Sequence, residues 1–501
     1  MLRVDCPPLY PPGCKIVYVG EAPWVEECKV KEGFVGRAGR LLDKINLIGG
    51  LPREQIGLTN VAKRTPDDTF TDPDFKKAFY IREKVGRKLV TRPSPELLEW
   101  HKVLAMELEE ARPNVVVACG DEALQALCGL RGITNYRGSI LPSSLVPGLK
   151  VIPLLHPSYI LRKALWQELY ISGWIVRDKV VPQSLFPEIH YEPWTEFVDP
   201  SRDELERLGA ELTRQQCPWS LDIETDRKTK ITHVGFAWGE LGEETAVCMP
   251  TYELPPDDWF WRWLQGLINN NPFITGHNFF YDMAWLQMYG VKVPCVWMDS
   301  MIAFHRLYPE LPKKLAFASM LFTDIPWYKG EGKDWTKKAR YNIKDCVAQI
   351  RVVHRVLKEF EKHPQFSELY WDYTAECLPW AFEMQSNGME VNGAGWLTAK
   401  NAVQDELNQV RAKLHELTQG ELTVLKGNKT ITDKQVMAFC YKTLGLPPKT
   451  KRGTGKLTAD EDALVELLIK HPEHHILKYI IADRKLTKAR DSYIEISYDE
   501  A

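Results

Sequence analysis

The sequence predicts a multidomain α/β protein. Apolar strand-like runs alternate with helical patterns through the first third, and the last third reads as helices. Between them lies Trp219-Ser220-Leu221-Asp222-Ile223-Glu224-Thr225-Asp226, a strand with acids at alternate positions. At 501 residues the chain is too long for one core, and roughly three domains are expected. Apolar residues make up 44% and charged residues 26%, which describes globular protein rather than a fibre or a disordered chain. A net charge of −3 carries no global sign of nucleic-acid binding, so such a surface must be a local basic patch. The 11 cysteines are scattered without a C-x-x-C pair, which suits reduced thiols. With no signal-peptide pattern and no apolar run of spanning length, the expected setting is cytoplasmic, away from membranes.

Lys15-Ile16-Val17-Tyr18-Val19 reads as a buried strand running into Gly20-Glu21-Ala22-Pro23, a turn that presents its acid at the carboxyl edge of a sheet. Gly33-Phe34-Val35-Gly36-Arg37-Ala38-Gly39 is a loop entering a helix. Ile56–Val61 is a second strand with Asn60 near its end, Pro113–Gly120 a third, and Lys150–Leu155 a fourth that runs into His156-Pro157-Ser158. Helical patterns at 96–111 and 121–129 between them predict a parallel α/β/α sandwich.

These residues resemble the uracil-DNA glycosylase superfamily, in its family 4 form, over about residues 1–175. The resemblance implies that Glu21 positions or activates the attacking water, Phe34 stacks on a flipped uracil and Asn60 reads the base edge. It further implies that His156 stabilises the anion on the leaving base and that the following loop, with Tyr159, Leu161 and Arg162, presses into the duplex. Trp24 stands where the family has Gly. No Cys occupies the matching positions near Val61–Arg64 and Trp100, so no iron–sulfur cluster is expected. A retained fold that binds DNA or a partner without cleaving anything is the alternative for this domain.

Residues 176–205, with several prolines, read as a connector that packs loosely. A second domain follows over 206–365, with antiparallel strands at Ile231–Trp238 and Glu244–Met249. Asp222 and Glu224 project from one face of their strand, close enough to share a divalent metal. Asn278 and Asp282 are four apart on an expected helix, as are Tyr341 and Asp345. Together with Gly276–Asp282 and Tyr341–Asp345, the acidic strand resembles the three motifs of DnaQ-like 3′→5′ exonucleases in the form carried by family A DNA polymerases. The resemblance implies an RNase H-like fold and a two-metal site for Mg²⁺ or Mn²⁺, held by Asp222, Glu224, Asp282 and Asp345. Tyr341 would orient the water, Asp299 would support the fold, and His277 and His305 read as core or surface residues.

Residues 366–501 are expected to be helical: Glu368–Ser386, then a short strand at Met389–Asn392, then Ala399–Leu417. Basic residues accumulate from Lys426 to Lys456, a helix starts near Leu457–Asp460, and Ile476–Ile494 forms another. This stretch resembles the start of a family A thumb, which implies phosphate contacts by Lys449, Lys451, Arg452 and Lys456. The palm and fingers motifs do not occur in the sequence, so polymerisation would need a palm from another chain or region. The reading is the amino-terminal part of a phage-type family A DNA polymerase, acting on single strands and primer-template duplex in an infected bacterial cell. It is an enzyme by its exonuclease, with uracil excision left open. A repair protein that excises uracil and trims ends, and a scaffold, are the rivals.

Overall fold

Runs rich in Val and Ile form strands Ile16–Gly20, Ile56–Asn60, Val115–Cys119 and Lys150–Leu154, every residue of which is buried. Burial on both faces is why they read as continuous apolar runs rather than alternating ones. In the computed structural model, which describes residues 2–67, 74–85, 88–226, 229–294, 296–425, 430–451 and 456–495, these four pair in parallel. Their order is second, first, third, fourth, and the short antiparallel strand Leu141–Pro142 closes the far edge. Helices Pro95–Ala111 and Asp121–Cys128 lie where the sequence places them, the first started by Ser94 and Pro95. The register sets Gly20 beside Asn60 and Cys119 beside Leu154. Glu21, Asn60, Gly120 and His156 therefore meet along one carboxyl edge, as the α/β reading anticipates.

A second, six-stranded sheet has the order Met298–Asp299, Ile274–Gly276, Trp219–Thr225, Ile231–Trp238, Glu244–Pro250, Trp194–Val198. Its central pairs are antiparallel. Helix Lys338–Lys362 packs across the central strands, and Gly235 permits the approach: a methyl there would stand 2.0 Å from Asn342 Oδ1 and 2.9 Å from Cys346 Sγ. Gly235 pairs with Asp222, so this close approach of the helix falls beside the acidic strand.

Residues 176–205 are not a loose connector. Val176, Lys179 and Val180 are buried, and Trp194–Val198 pairs with Glu244–Pro250 as the edge strand. Proline-rich spacing misled here because both pieces are ordered by packing, not by local sequence. One apolar core runs from Ile16, Ile140 and Ile175 of the first sheet and its helices to Phe304, Met320, Tyr328 and Val347 around the second. Residues Met1–Ser386 accordingly form a single compact unit. Arg351, buried, bonds Glu244 at 2.5 Å, Asp324 at 2.5 Å and the Glu192 carbonyl at 2.9 Å within it.

The described residues of the second unit, Asn387–Ala501, form helices and one short antiparallel strand pair. Helix Gly393–Leu417 starts six residues earlier than read from sequence, capped by Asn392, and the strand expected at Met389–Asn392 is absent. Leu457–Thr458 pairs with Lys449–Thr450, and the helix expected there begins at Glu461 behind Asp460. Helix Ile476–Ala489 continues through Arg490–Ile494. Leu414, Phe439, Leu464 and Leu477 centre its core. Among the described residues no helix is long and apolar enough to cross a membrane.

Candidate functional site

Two clusters of polar groups are built on the first unit. The first lies on the carboxyl edge of the parallel sheet. Gly20 is its floor: a methyl there would stand 2.4 Å from Asn60 Oδ1 and 2.8 Å from Phe34 Cζ. Phe34 is held in the left-handed region at φ 57, an uncommon conformation for an aromatic residue. Glu27 holds the loop around it, accepting from the Trp24 N–H at 2.8 Å and the Phe34 N–H at 2.5 Å. Gly39 lets the Phe34 carbonyl turn inward, since any Cβ there would collide with that oxygen. Phe34 and His156 stack with ring centres 6.2 Å apart.

Burial pushes the Glu21 carboxyl up to about 7, with Glu122 adding to the rise and Arg162 opposing it. Burial, with Arg162, holds His156 down to about 4, so its ring is neutral at pH 7. Its Nδ1 accepts from the Ser158 N–H at 3.2 Å, which assigns the ring proton to Nε2. The ring is thus a neutral donor. Helix Pro157–Lys163 carries exposed Tyr159 and Arg162 beside it. Near Asn60, buried Lys63 donates to the Asn60 carbonyl at 2.5 Å and pairs with Glu107 at 2.9 Å. Arg64 pairs with Glu96 at 2.5 Å, and Trp100 Nε1 donates to Glu96 at 3.4 Å. Ion pairs and a tryptophan thus occupy the segments where the sequence lacks cysteines.

The second cluster joins the acidic strand to the long helix. Asp222, Glu224 and Asp345 present oxygens all within 4.8 Å of one another, a set able to hold a metal ion. Asp282 accepts from the Ile223 N–H at 2.9 Å and so lies against the same strand. Burial, then mutual repulsion among the acids, pushes the Asp222 carboxyl far up, and burial carries Asp282 to about 8. Lys338 pairs with Glu224 at 2.5 Å. Lys329 pairs with Asp345 and donates to Tyr341 Oη at 3.1 Å. Tyr328 also donates to Asp345, and Asn342 Nδ2 donates to Asp222 at 2.7 Å.

Asn278 departs from the sequence reading: it precedes helix Phe280–Met288 at φ 61, so only Asp282 of that pair sits on the helix. Asp299 caps helix Ser300–Leu307 and accepts from Phe279 N–H at 2.9 Å. His277 bonds Ser300 and the Lys313 carbonyl.

Residues 7–170 match the family model described as the uracil DNA glycosylase superfamily. The type-4 uracil-DNA glycosylase of Thermotoga maritima is 35% identical over 150 residues, 30% of this chain and 67% of that protein. The chain belongs to the uracil-DNA glycosylase superfamily. A DNA polymerase of Bacillus phage SP01 is 26% identical over 161 residues, 32% of this chain, but that span is 15% of the polymerase. A solved structure, the POL domain of Pol1 from M. smegmatis, aligns at 17% identity with a TM-score of 0.42 over 59% of this chain and 49% of that one.

Glu21, Phe34, Asn60 and His156, named from sequence as catalytic or base-binding, lie along the carboxyl edge of the parallel sheet, and Tyr159 and Arg162 are exposed on the helix that follows, while Glu27 and Lys63 escaped notice. Glu27 could have been suspected from its place in the loop between Trp24 and Phe34; Lys63 gives no periodic signal. Around the carboxylates, Tyr328, Lys329, Lys338 and Asn342 were also missed. Two of these flank or adjoin Tyr341 on its helix, but Tyr328 and Lys329 lie in a loop with no pattern. In the second unit Lys451 and Lys456 are exposed, whereas Lys449 is half-buried and bonds Glu466 at 2.5 Å. Arg452 lies outside the described residues.

Proposed function

We propose that the chain is the amino-terminal part of a phage-type family A DNA polymerase whose activity is a metal-dependent 3′→5′ exonuclease, used in proofreading. The grouping of Asp222, Glu224 and Asp345 beside Asp282 carries the proposal, because four acids on one spot are costly unless cations share them. Asp222, Glu224, Asp282 and Asp345 would hold Mg²⁺ or Mn²⁺, and a metal pair there supplies charge stabilisation to both oxygens of a phosphodiester displacement. Lys329 holds the Tyr341 hydroxyl beside Asp345, where it can orient the attacking water. The sheet over which the long helix packs supports an RNase H-like reading, and the basic hairpin of the second unit a partial thumb that meets duplex phosphates. Likeness to a phage polymerase favours DNA as the partner.

With Mg²⁺ or Mn²⁺ the chain is expected to shorten single-stranded DNA from its 3′ end. Asp222→Ala combined with Glu224→Ala should lower the rate by orders of magnitude without unfolding the chain. Undiminished cutting by the double variant would sink the assignment.

A second activity, uracil excision, is favoured by the grouping on the glycosylase edge. Water would add to C1′, the N-glycosidic bond would break, and its electron pair would leave on the base. Glu21 would take the proton from water, and His156 Nε2–H would donate to the departing base. Release of uracil from a single-stranded oligonucleotide in excess EDTA tests this, because no metal takes part.

A further inference from the structure

The segment Thr323–Tyr328 has no regular secondary structure, yet it touches both halves of the first unit. At one point the Trp327 N–H donates to Ser139 Oγ at 3.1 Å, and its indole meets Tyr136 edge-on with ring centres 5.1 Å apart. Tyr136 and Ser139 belong to the glycosylase domain. The next two residues reach the carboxylates: Tyr328 Oη and Lys329 Nζ both donate to Asp345 Oδ1, and Lys329 also reaches Tyr341. Three consecutive side chains thus span from one fold to the other.

The anchor end is tightly held. Ser139 is buried and Lys179 Nζ, also buried, donates to the Gly138 carbonyl at 2.7 Å and to the Met320 carbonyl. Gly138 has φ +70, and a methyl there would stand 3.1 Å from Met320 Sδ. The Arg137 guanidinium lies 5.2 Å from the Phe317 ring centre. The turn Arg137–Ser139 is therefore seated on helix Leu315–Phe322, which leads directly into Thr323–Tyr328. Tyr328 at the other end is 4% exposed in the common core. Both ends are therefore tied by hydrogen bonds, Trp327 to Ser139 and Tyr328 to Asp345.

We infer that the glycosylase domain positions the metal centre: Tyr136, Ser139 and Trp327 are positioning residues that set Tyr328 and Lys329, and through them Asp345 and Tyr341. The inference rests on reading Asp345 as a metal ligand. It makes the glycosylase fold a working part of the nuclease whether or not it excises uracil. Groups that hydrogen-bond a metal ligand orient it, and their loss typically weakens metal binding about 10–100-fold.

The test uses the full chain with Tyr136→Ala plus Ser139→Ala, and measures Mn²⁺ affinity by calorimetry beside the cutting rate as a function of Mn²⁺. The expected result is an affinity about tenfold weaker, cutting restored at high Mn²⁺, unchanged single-strand affinity and an unchanged circular dichroism spectrum. Trp327→Phe keeps a ring against Tyr136 and the backbone donor, and should stay near wild type where Trp327→Ala does not. If the double variant does not fold, Ser139→Ala alone, which deletes one hydroxyl, is read in the same way. Wild-type Mn²⁺ affinity in a folded double variant overturns the inference. A wild-type chain that binds Mn²⁺ but does not cut removes the exonuclease reading and leaves positioning to be decided by affinity; one that binds no Mn²⁺ overturns both.

Discussion

Asn342 lies against Gly235 so closely that no side chain fits between them, and its amide bonds Asp222, the residue paired with that glycine across the strands. The geometry of the carboxylate cluster thus depends on a missing Cβ. Gly235→Ala should push helix Lys338–Lys362 outward, cost about 1–3 kcal/mol by overpacking, and separate Asp345 from Asp222. Denaturant unfolding and Mn²⁺-dependent cutting measured together check this; a variant with normal cutting would show that the helix can yield elsewhere.

Arg351 is a buried cation with two carboxylate partners, Glu244 being 0% exposed. Arg351→Ala should destabilise the first unit by about 3–5 kcal/mol, because an unpaired charge is left in the core. Adding Glu244→Gln should recover part of that loss. Because one of the apolar cores of the first unit runs through both halves, its unfolding should be followed as one transition by probes in either half.

The pH behaviour of the glycosylase edge follows from opposite shifts on two groups. Glu21 is raised, so the stability it contributes is present below its ordinary value of 4.5 and is lost as pH rises through about 7. His156 is lowered, so its contribution is present above its ordinary 6.5 and is lost as pH falls through about 4. Uracil excision with Glu21 as base should therefore rise through pH 7 and show no fall from His156 deprotonation between 6 and 8. Glu21→Gln should remove the rise, and Asn60→Ala or His156→Ala should each cost substantial rate.

Trp24 separates three outcomes for the same edge. Release by wild type means the ring only lines the pocket. Silence in wild type with release by Trp24→Gly means it fills the pocket. Tight binding of uracil-containing DNA without release by either protein favours a sensor, and absence of both release and selective binding leaves the scaffold reading. A gel assay for abasic sites beside a binding titration distinguishes them.

For the second unit, Lys451→Ala with Lys456→Ala should weaken duplex binding and flatten its salt dependence by about 1.8 units of slope, roughly 0.9 per phosphate contact. Lys449→Ala should change it less, since that side chain is already engaged by Glu466. Equal salt slopes in wild type and the double variant would mean that this hairpin does not meet DNA.

Local chemistry alone determined a good deal of this protein. The four parallel strands were legible because residues buried on both faces must be apolar throughout, and the edge residues Glu21, Asn60 and His156 because each follows or ends such a run. Asp222 and Glu224 could be paired from alternation along one strand, and Tyr341 with Asp345 from helical spacing. The tertiary structure alone decided what those patterns meet. It turned the proline-rich 176–205 stretch into packed helix and edge strand, set Asn278 off its expected helix, and removed the strand read at Met389–Asn392. It also brought Lys329 to Asp345 and Ser139 to Trp327, 16 and 188 residues apart in sequence. Such contacts leave no periodic trace, because they are chosen by the packing of two sheets on a common core and not by the repeat of any one element.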